Sequence, residues 1–256
     1  MALMEVENLS IQFGGLMAVS DFNLELKEGE LVAIIGPNGA GKTTAFNMLT
    51  GLYRPTSGHI RINGSSIIGM KPNQYTACGI ARTFQNIRLF SDMTVLDNLK
   101  VALTLQVKYN LAQALLRSRS FLNLEDEIED RAYEILEIMN LDSKADLLAK
   151  NLPYGEQRRL EIARALATKP KILMLDEPVA GMNPNEIEDV IKLIVDIRKR
   201  FNLTILLIEH HMNVVMTIAD RIKVLDFGQT IAEGTPEEIQ NNPRVIEAYL
   251  GGGRKK

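Results

Sequence analysis

The residues Gly36-Pro37-Asn38-Gly39-Ala40-Gly41-Lys42-Thr43-Thr44 match G-x-x-x-x-G-K-S/T, the pattern of a phosphate-cradling P-loop. Glycines at these positions let successive backbone N–H groups turn inward onto phosphate oxygens. A helix starting at the end of the loop adds the partial positive charge of its N-terminus. Lys42 can reach the β- and γ-phosphates of a nucleoside triphosphate, and the Thr43 hydroxyl can ligate Mg²⁺. A second acid-bearing segment, Lys171-Ile172-Leu173-Met174-Leu175-Asp176-Glu177, is an apolar run ending in two carboxylates. Asp176 can hold the magnesium shell, and Glu177 is placed to polarise an attacking water. Alone, an Asp-Glu pair after a strand more often reads as a solvated strand end. A P-loop in the same chain reverses that balance.

These groups need rigid elements to hold them. Leu31–Ile35 is a continuous apolar run that suits a buried parallel strand. It feeds the loop, and a helix follows. Before it, Leu3–Leu9, Ile11–Phe13 and Phe22–Leu26 read as short strands, and Ile60-Arg61-Ile62 reads as a strand entering an Asn63-Gly64 turn. From about Val95 to Leu148 the pattern is helical, with Asn123 as a helix cap and Ile128, Ala132, Ile135, Leu136 and Met139 on one apolar face. Strands and helices then alternate. A helix spans Tyr154–Thr168, a strand Ile172–Leu175, a helix Pro184–Arg200 and a strand Leu203–Ile208. A helix from Met212 follows, then a hairpin-like pair, Ile222–Leu225 and Gln229–Ala232. Such alternation predicts an α/β fold with a mostly parallel sheet covered by helices.

Composition narrows the function classes. The chain has 256 residues, 29 basic and 32 acidic, a net charge of −3, so electrostatics gives no reason to expect nucleic acid as a partner. A single cysteine, Cys78, excludes an intrachain disulfide and fits a reducing compartment. The opening MALMEVENLS carries acids early and does not read as a signal peptide. The longest apolar runs, such as Ile205 to Ile208, fall well short of the ~20 residues that span a bilayer. Work at a membrane would therefore be that of a peripheral subunit.

Further motifs stand in an order that resembles the nucleotide-binding subunits of ABC transporters along essentially the whole chain. Phe13 stands where that family stacks an aromatic on adenine, although a strand core residue is the equal alternative. Gln85, in Thr83-Phe84-Gln85-Asn86, matches the Q-loop. Leu152-Pro153-Tyr154-Gly155-Glu156-Gln157-Arg158-Arg159 matches the signature motif. Val179-Ala180-Gly181-Met182-Asn183 matches the D-loop, and His210 the switch histidine. The resemblance implies a P-loop NTPase core with an N-terminal antiparallel β subdomain and an inserted α-helical subdomain. It divides the single ABC ATPase domain, 1–256, into a core of 1–94 and 155–250, a helical subdomain of 95–154 and a loose tail, 251–256. It further implies that ATP and Mg²⁺ sit between two subunits. Gly36 to Thr44 of one would face Gly155, Glu156 and Gln157 of the other. Thr43, Gln85 and Asp176 would serve the metal, and Glu177, His210 and Gln85 the catalysis.

Four positions depart from the family pattern. Pro153 and Tyr154 replace the usual serine and glycine, so one phosphate-binding hydroxyl is missing. Asn183 replaces an aspartate, but Asn183, Pro184 and Glu186 also make a capping-box-like helix start. His211 replaces a frequent acid. The Tyr-Gly signature, Gly79 to Gln85, an insert near Leu105–Leu124 and the tail Asn241–Gly251 resemble the ATPases of branched-chain amino acid importers. That resemblance implies a related second ATPase subunit as heterodimer partner. It also implies integral permease subunits, an indirect link to a solute-binding protein, and a place on the cytoplasmic face of the inner membrane. Ile87 to Phe90 and Met93 to Val95 would then help form the docking surface. The alternatives are the ATPase of lipopolysaccharide export and a non-transport ABC ATPase; the coiled-coil insertion or second cassette usual in the latter is not evident.

Overall fold

The computed structural model describes residues 2–106 and 119–250. The expected loose tail, 251–256, and much of the Leu105–Leu124 insert lie outside them. The chain divides into two compact units, one of Met1–Arg82 with Lys171–Lys256 and the other of Thr83–Pro170. The second unit is wider at both ends than the 95–154 stretch read from the sequence, and it takes in the helix after the signature motif.

The first unit holds two sheets. One is antiparallel, in the order β2-β1-β4-β5, formed by β1 (Ala2–Phe13), β2 (Leu16–Lys27), β4 (Ser57–Ile62) and β5 (Ser65–Ser66). What reads in sequence as two strands before Phe13 is one strand, whose pairing with β2 slips at several bulges. The bulges interrupt the apolar-polar alternation without ending the ladder. Asn63 and Gly64 both take positive φ, 48° and 76°, as a two-residue hairpin turn requires.

The other sheet runs β10-β9-β3-β8-β7-β6. Here β3 (Leu31–Ile35), β6 (Ile80–Arg82), β7 (Ile172–Asp176), β8 (Thr204–Ile208) and β9 (Arg221–Asp226) are parallel, and β10 (Gln229–Gly234) closes one edge antiparallel to β9. Every residue of β3, β7 and β8 is buried, which explains their unbroken apolar runs. The short strand β6 carries too little pattern to be read from sequence. It is anchored by Lys171 N–H and Ile172 N–H, both donating to Gly79 O.

Helix α1 (Lys42–Leu49) buries Phe46, Met48 and Leu49 in a core shared by residues of both sheets, among them Leu9, Phe22, Ile34, Ile60, Met174 and Leu206. Helix α2 (Pro72–Ala77) precedes β6. Later in the unit come α6 (Pro184–Phe201), α7 (Met212–Ile218), α8 (Pro236–Gln240) and α9 (Pro243–Leu250). The side-chain oxygen of Asn183 accepts from Asn185 N and Glu186 N, and Glu186 accepts from Asn183 N. The capping box its spacing predicts therefore forms at the start of α6.

The described second unit is built on α3 (Val95–Leu103), α4 (Arg119–Ile138) and α5 (Tyr154–Leu166). Helix α4 already includes Arg119, so Asn123 lies inside it and not at its cap. The acids after Asn123 imitate a first turn, but the helical run extends past them toward the N-terminus. Ile128, Ala132, Leu136 and Met139 are buried, as the period predicts.

Candidate nucleotide site

The P-loop is fixed by what surrounds it. Gly36 takes φ 151° directly after β3, and a Cβ there would lie 2.0 Å from Leu225 O on the neighbouring strand. Only glycine allows the loop to leave the sheet at that point. Gly41, φ 98°, is the residue before α1, where a Cβ would meet Ala18 O at 2.9 Å. Inside the loop Ala40 N–H donates to Pro37 O, and Gly228 N–H donates to Ala40 O. Lys42 is buried at 7% exposure. Its Nζ donates to Gly36 O at 2.7 Å and Pro37 O at 3.0 Å, so the ammonium lies back across the loop. Burial holds the Lys42 pKa below the ordinary lysine value, while the charges of Glu177 and Asp176 pull it upward. A cation held this way beside converging amides is suited to a polyphosphate. On the outer side of the loop, Asn38, Phe227, Arg244 and Glu247 help line a groove of about 480 Å³.

Parallel pairing puts the carboxyl ends of β7 and β8 side by side, with Asp176 opposite Ile208. Ligands bind at such ends in open α/β sheets. Asp176 is 3% exposed and pairs with Arg82, whose Nη2 lies 2.7 Å from Oδ2. Glu177 takes φ 48°, a left-handed conformation that costs a non-glycine residue about 1–2 kcal/mol. Its N–H donates to Ile208 O, which holds that conformation against the sheet. Strain of this kind concentrates at functional sites. His210 Nδ1 stands 3.7 Å from Glu177 Oε2, in ion-pair range but too far for a hydrogen bond.

Sequence reasoning missed the group that ties these loops together. Glu209 is fully buried. One of its oxygens accepts from Val179 N, and the other accepts from His210 N and His211 N and lies 3.1 Å from His211 Nδ1. It thus joins the chain after β7 to the chain after β8, and gives His211 a structural partner. A charged residue closing an otherwise apolar strand was the available signal.

Phe13 ends β1 at 46% exposure and is not a core residue. It meets Tyr53 edge-to-face, with ring centroids 5.3 Å apart and planes at 77°. Its open face can stack on a base. Tyr53 was not singled out in the sequence, because it lies in the turn after α1 with no periodic context.

The first unit therefore carries Phe13, Gly36 to Thr44, Asp176, Glu177 and His210. Gln85, Gly155, Glu156 and Gln157 belong to the second. There Pro153 precedes α5 and its carbonyl accepts from Glu156 N and Gln157 N. Glu156 is paired with Lys144 at 2.6 Å. The backbone leading through Gln85 is held by a buried ion pair absent from the sequence reading. Arg158 Nη1 lies 2.7 Å from Glu161 Oε2. Arg158 also donates to Phe84 O and Gln85 O, and Glu161 accepts from Phe84 N and Arg88 N. Burial raises the Glu161 pKa, against the opposing pull of Arg158.

The oxygen-only donors Thr43 and Asp176 suit a hard divalent cation such as magnesium. Among the described residues no helix is long and apolar enough to cross a membrane.

Comparison with known proteins agrees with this arrangement. Residues 19–180 match the ABC transporter family model, and residues 229–255 match that of the branched-chain amino acid ATP-binding cassette transporter. The chain is 52% identical over 249 residues to the high-affinity branched-chain amino acid transport ATP-binding protein LivG of Escherichia coli K12, covering 97% of this chain and 98% of LivG. It is 49% identical to BraF of Pseudomonas aeruginosa, which bears the same description, over the same shares of the two chains. The crystal structure of MJ1267, an ATP-binding cassette of an ABC transporter, in its ADP conformation superimposes with a TM-score of 0.84 at 30% identity, covering 98% of this chain and 99% of that one. A strand-fed P-loop, a strained glutamate beside it and full-length similarity of this kind establish that the chain belongs to the ABC transporter ATP-binding family, as a homologue of branched-chain amino acid transport ATPases whose ATP hydrolysis is coupled to transport.

Proposed function

We propose that this chain binds ATP with magnesium and hydrolyses it to drive import of branched-chain amino acids through integral permease subunits. The observation that carries this reading is the buried Lys42, aimed across the P-loop and within the electrostatic reach of both Asp176 and Glu177. In the proposed chemistry the loop amides and Lys42 hold the β- and γ-phosphates. Thr43 and Asp176 hold the magnesium, which neutralises phosphate charge when bound. Glu177 accepts a proton from the attacking water, and His210 stands beside Glu177 to orient it or the γ-phosphate. Phe13 stacks on the adenine. The signature residues Gly155, Glu156 and Gln157 serve the site of a partner subunit, where the start of α5 offers its amides to the γ-phosphate. Gln85 keeps the coupling role that its motif implies.

The partner is a second ABC ATPase; the motif resemblance to the ATPases of branched-chain amino acid importers supports a related, non-identical subunit and an indirect link to a solute-binding protein. The site of action is the cytoplasmic face of the membrane, where the chain is peripheral. Co-expression with candidate permease subunits, purification of the complex and measurement of ATPase activity in vesicles test this. Leucine with its binding protein should stimulate turnover. Stimulation by an unrelated solute, with none from leucine, isoleucine or valine, would overturn the solute assignment.

A further inference from the structure

The reading of Phe13 as the ring that stacks on adenine, on which this inference rests, assigns nothing to hold that ring in place. Phe13 is the last residue of β1, directly before the Gly14-Gly15 turn, and at 46% exposure it lies outside the core. The ring it meets edge-to-face, Tyr53, is placed by the end of α1. Leu52 N–H donates to Asn47 O at 2.9 Å and Gly51 N–H donates to Met48 O at 3.2 Å, with Gly51 at φ 71°. This is a Schellman motif. It sets Tyr53, whose own N–H donates to Asn47 O at 3.0 Å, directly after the helix cap. Further along, Thr56 N–H donates to Ser10 O at 2.8 Å, and Thr56 Oγ1 accepts from Gln12 N at 3.1 Å. The turn that carries Tyr53 is thus tied to α1 on one side and to the end of β1 on the other.

Helix α1 begins at Lys42, in the phosphate cradle, and ends at the cap that presents Tyr53. One rigid element therefore sets both the place of the phosphates and the brace of the base-stacking ring. A half-exposed phenylalanine beside two glycines would otherwise sample several rotamers, and binding would have to freeze it. The edge-to-face pair, at 5.3 Å and 77°, has the geometry in which aromatic rings attract, and it selects one ring plane in advance. We propose that Tyr53 is a positioning residue that holds Phe13 in its stacking plane, so that adenine meets a preorganised ring. If Tyr53 only supported the turn after α1, its loss would weaken every phosphate ligand alike. If it touched the base itself, its loss would add to that of Phe13.

Calorimetric titration with the non-hydrolysable analogue adenylyl imidodiphosphate and with inorganic triphosphate, which has no base, both with Mg²⁺, separates these accounts without relying on turnover. Tyr53→Ala should weaken the analogue about fivefold, the scale of one aromatic pair, and leave triphosphate unchanged. Tyr53→Phe keeps the ring and should bind the analogue within about twofold of the parent. In a Phe13→Ala background, Tyr53→Ala should cost nothing further. Equal losses for both ligands, an unchanged affinity for the analogue, a phenylalanine variant as weak as the alanine one, or an undiminished loss in the Phe13→Ala background would overturn the proposal. Should Tyr53→Ala fail to fold by circular dichroism, Tyr53→Leu, which keeps apolar bulk without a ring, takes its place, with an expected loss of about threefold for the analogue alone. Phe13→Ala by itself tells the two readings apart. If it leaves the analogue's affinity unchanged, the stacking reading of Phe13 fails; if it weakens the analogue while the Tyr53 variants do not, only the positioning role fails.

Discussion

Replacing Lys42 by alanine removes a buried cation in direct contact with the P-loop carbonyls. Two of its three N–H donors are engaged by Gly36 O and Pro37 O, which leaves one to aim at a phosphate. A hydrogen bond from an ionised donor contributes about 1.5–3 kcal/mol. Taking 2–3 kcal/mol, the dissociation constant for MgATP should rise roughly 30- to 150-fold. The two carbonyls that lose a partner affect folding more than binding, so melting temperature must be followed beside affinity. Calorimetric or fluorescence titration at constant magnesium gives the affinity. A dissociation constant within about threefold of the parent, with an unchanged melt, would refute the assignment of Lys42 to phosphate. The same lysine predicts a pH dependence. Burial lowers its pKa, partly offset by Glu177 and Asp176, and only the protonated form attracts phosphate. Affinity should therefore be lost on raising the pH at a point below the ordinary lysine value, and that step should vanish in Lys42→Ala.

Three other substitutions probe separate parts of the structure. Glu177→Gln should keep ATP binding, stop turnover and leave an ATP-dependent dimer visible by gel filtration; continued rapid hydrolysis would contradict the role of Glu177. Phe13→Ala should weaken ATP about tenfold, since stacking on a base contributes about 1–3 kcal/mol, while inorganic triphosphate binds as before; equal losses for both would place Phe13 away from the base. Arg158→Ala strips the partner from the buried Glu161 and should cost about 3–5 kcal/mol. At about 2–4 °C per kcal/mol for a protein of this size the melting point should drop by roughly 10 °C, whereas a double replacement by apolar residues of similar volume should recover most of it.

Features in which local chemistry and chain geometry coincide are legible in the amino-acid order alone. Leu31–Ile35, Ile172–Asp176 and Thr204–Ile208 are legible because a strand buried on both faces must be apolar throughout. The P-loop is legible because a tight anion cradle admits few residues besides glycine, and Asn183 because its capping partners lie within one helical turn. Glu177 and His210 were legible only as members of an ordered set of motifs, since a lone acid or histidine after a strand carries little information. The tertiary structure decided what depends on residues distant in the chain. Arg82 meets Asp176 across 94 positions, Arg158 reaches Phe84 across 74, and Glu209 joins Val179 across 30. A polar side chain in an otherwise buried strand or helix announces that it needs a partner, but which partner it finds is fixed by sheet order and register. That order, β9-β3-β8-β7-β6, follows from how separated strands pack their apolar faces together, and no local window of sequence contains it.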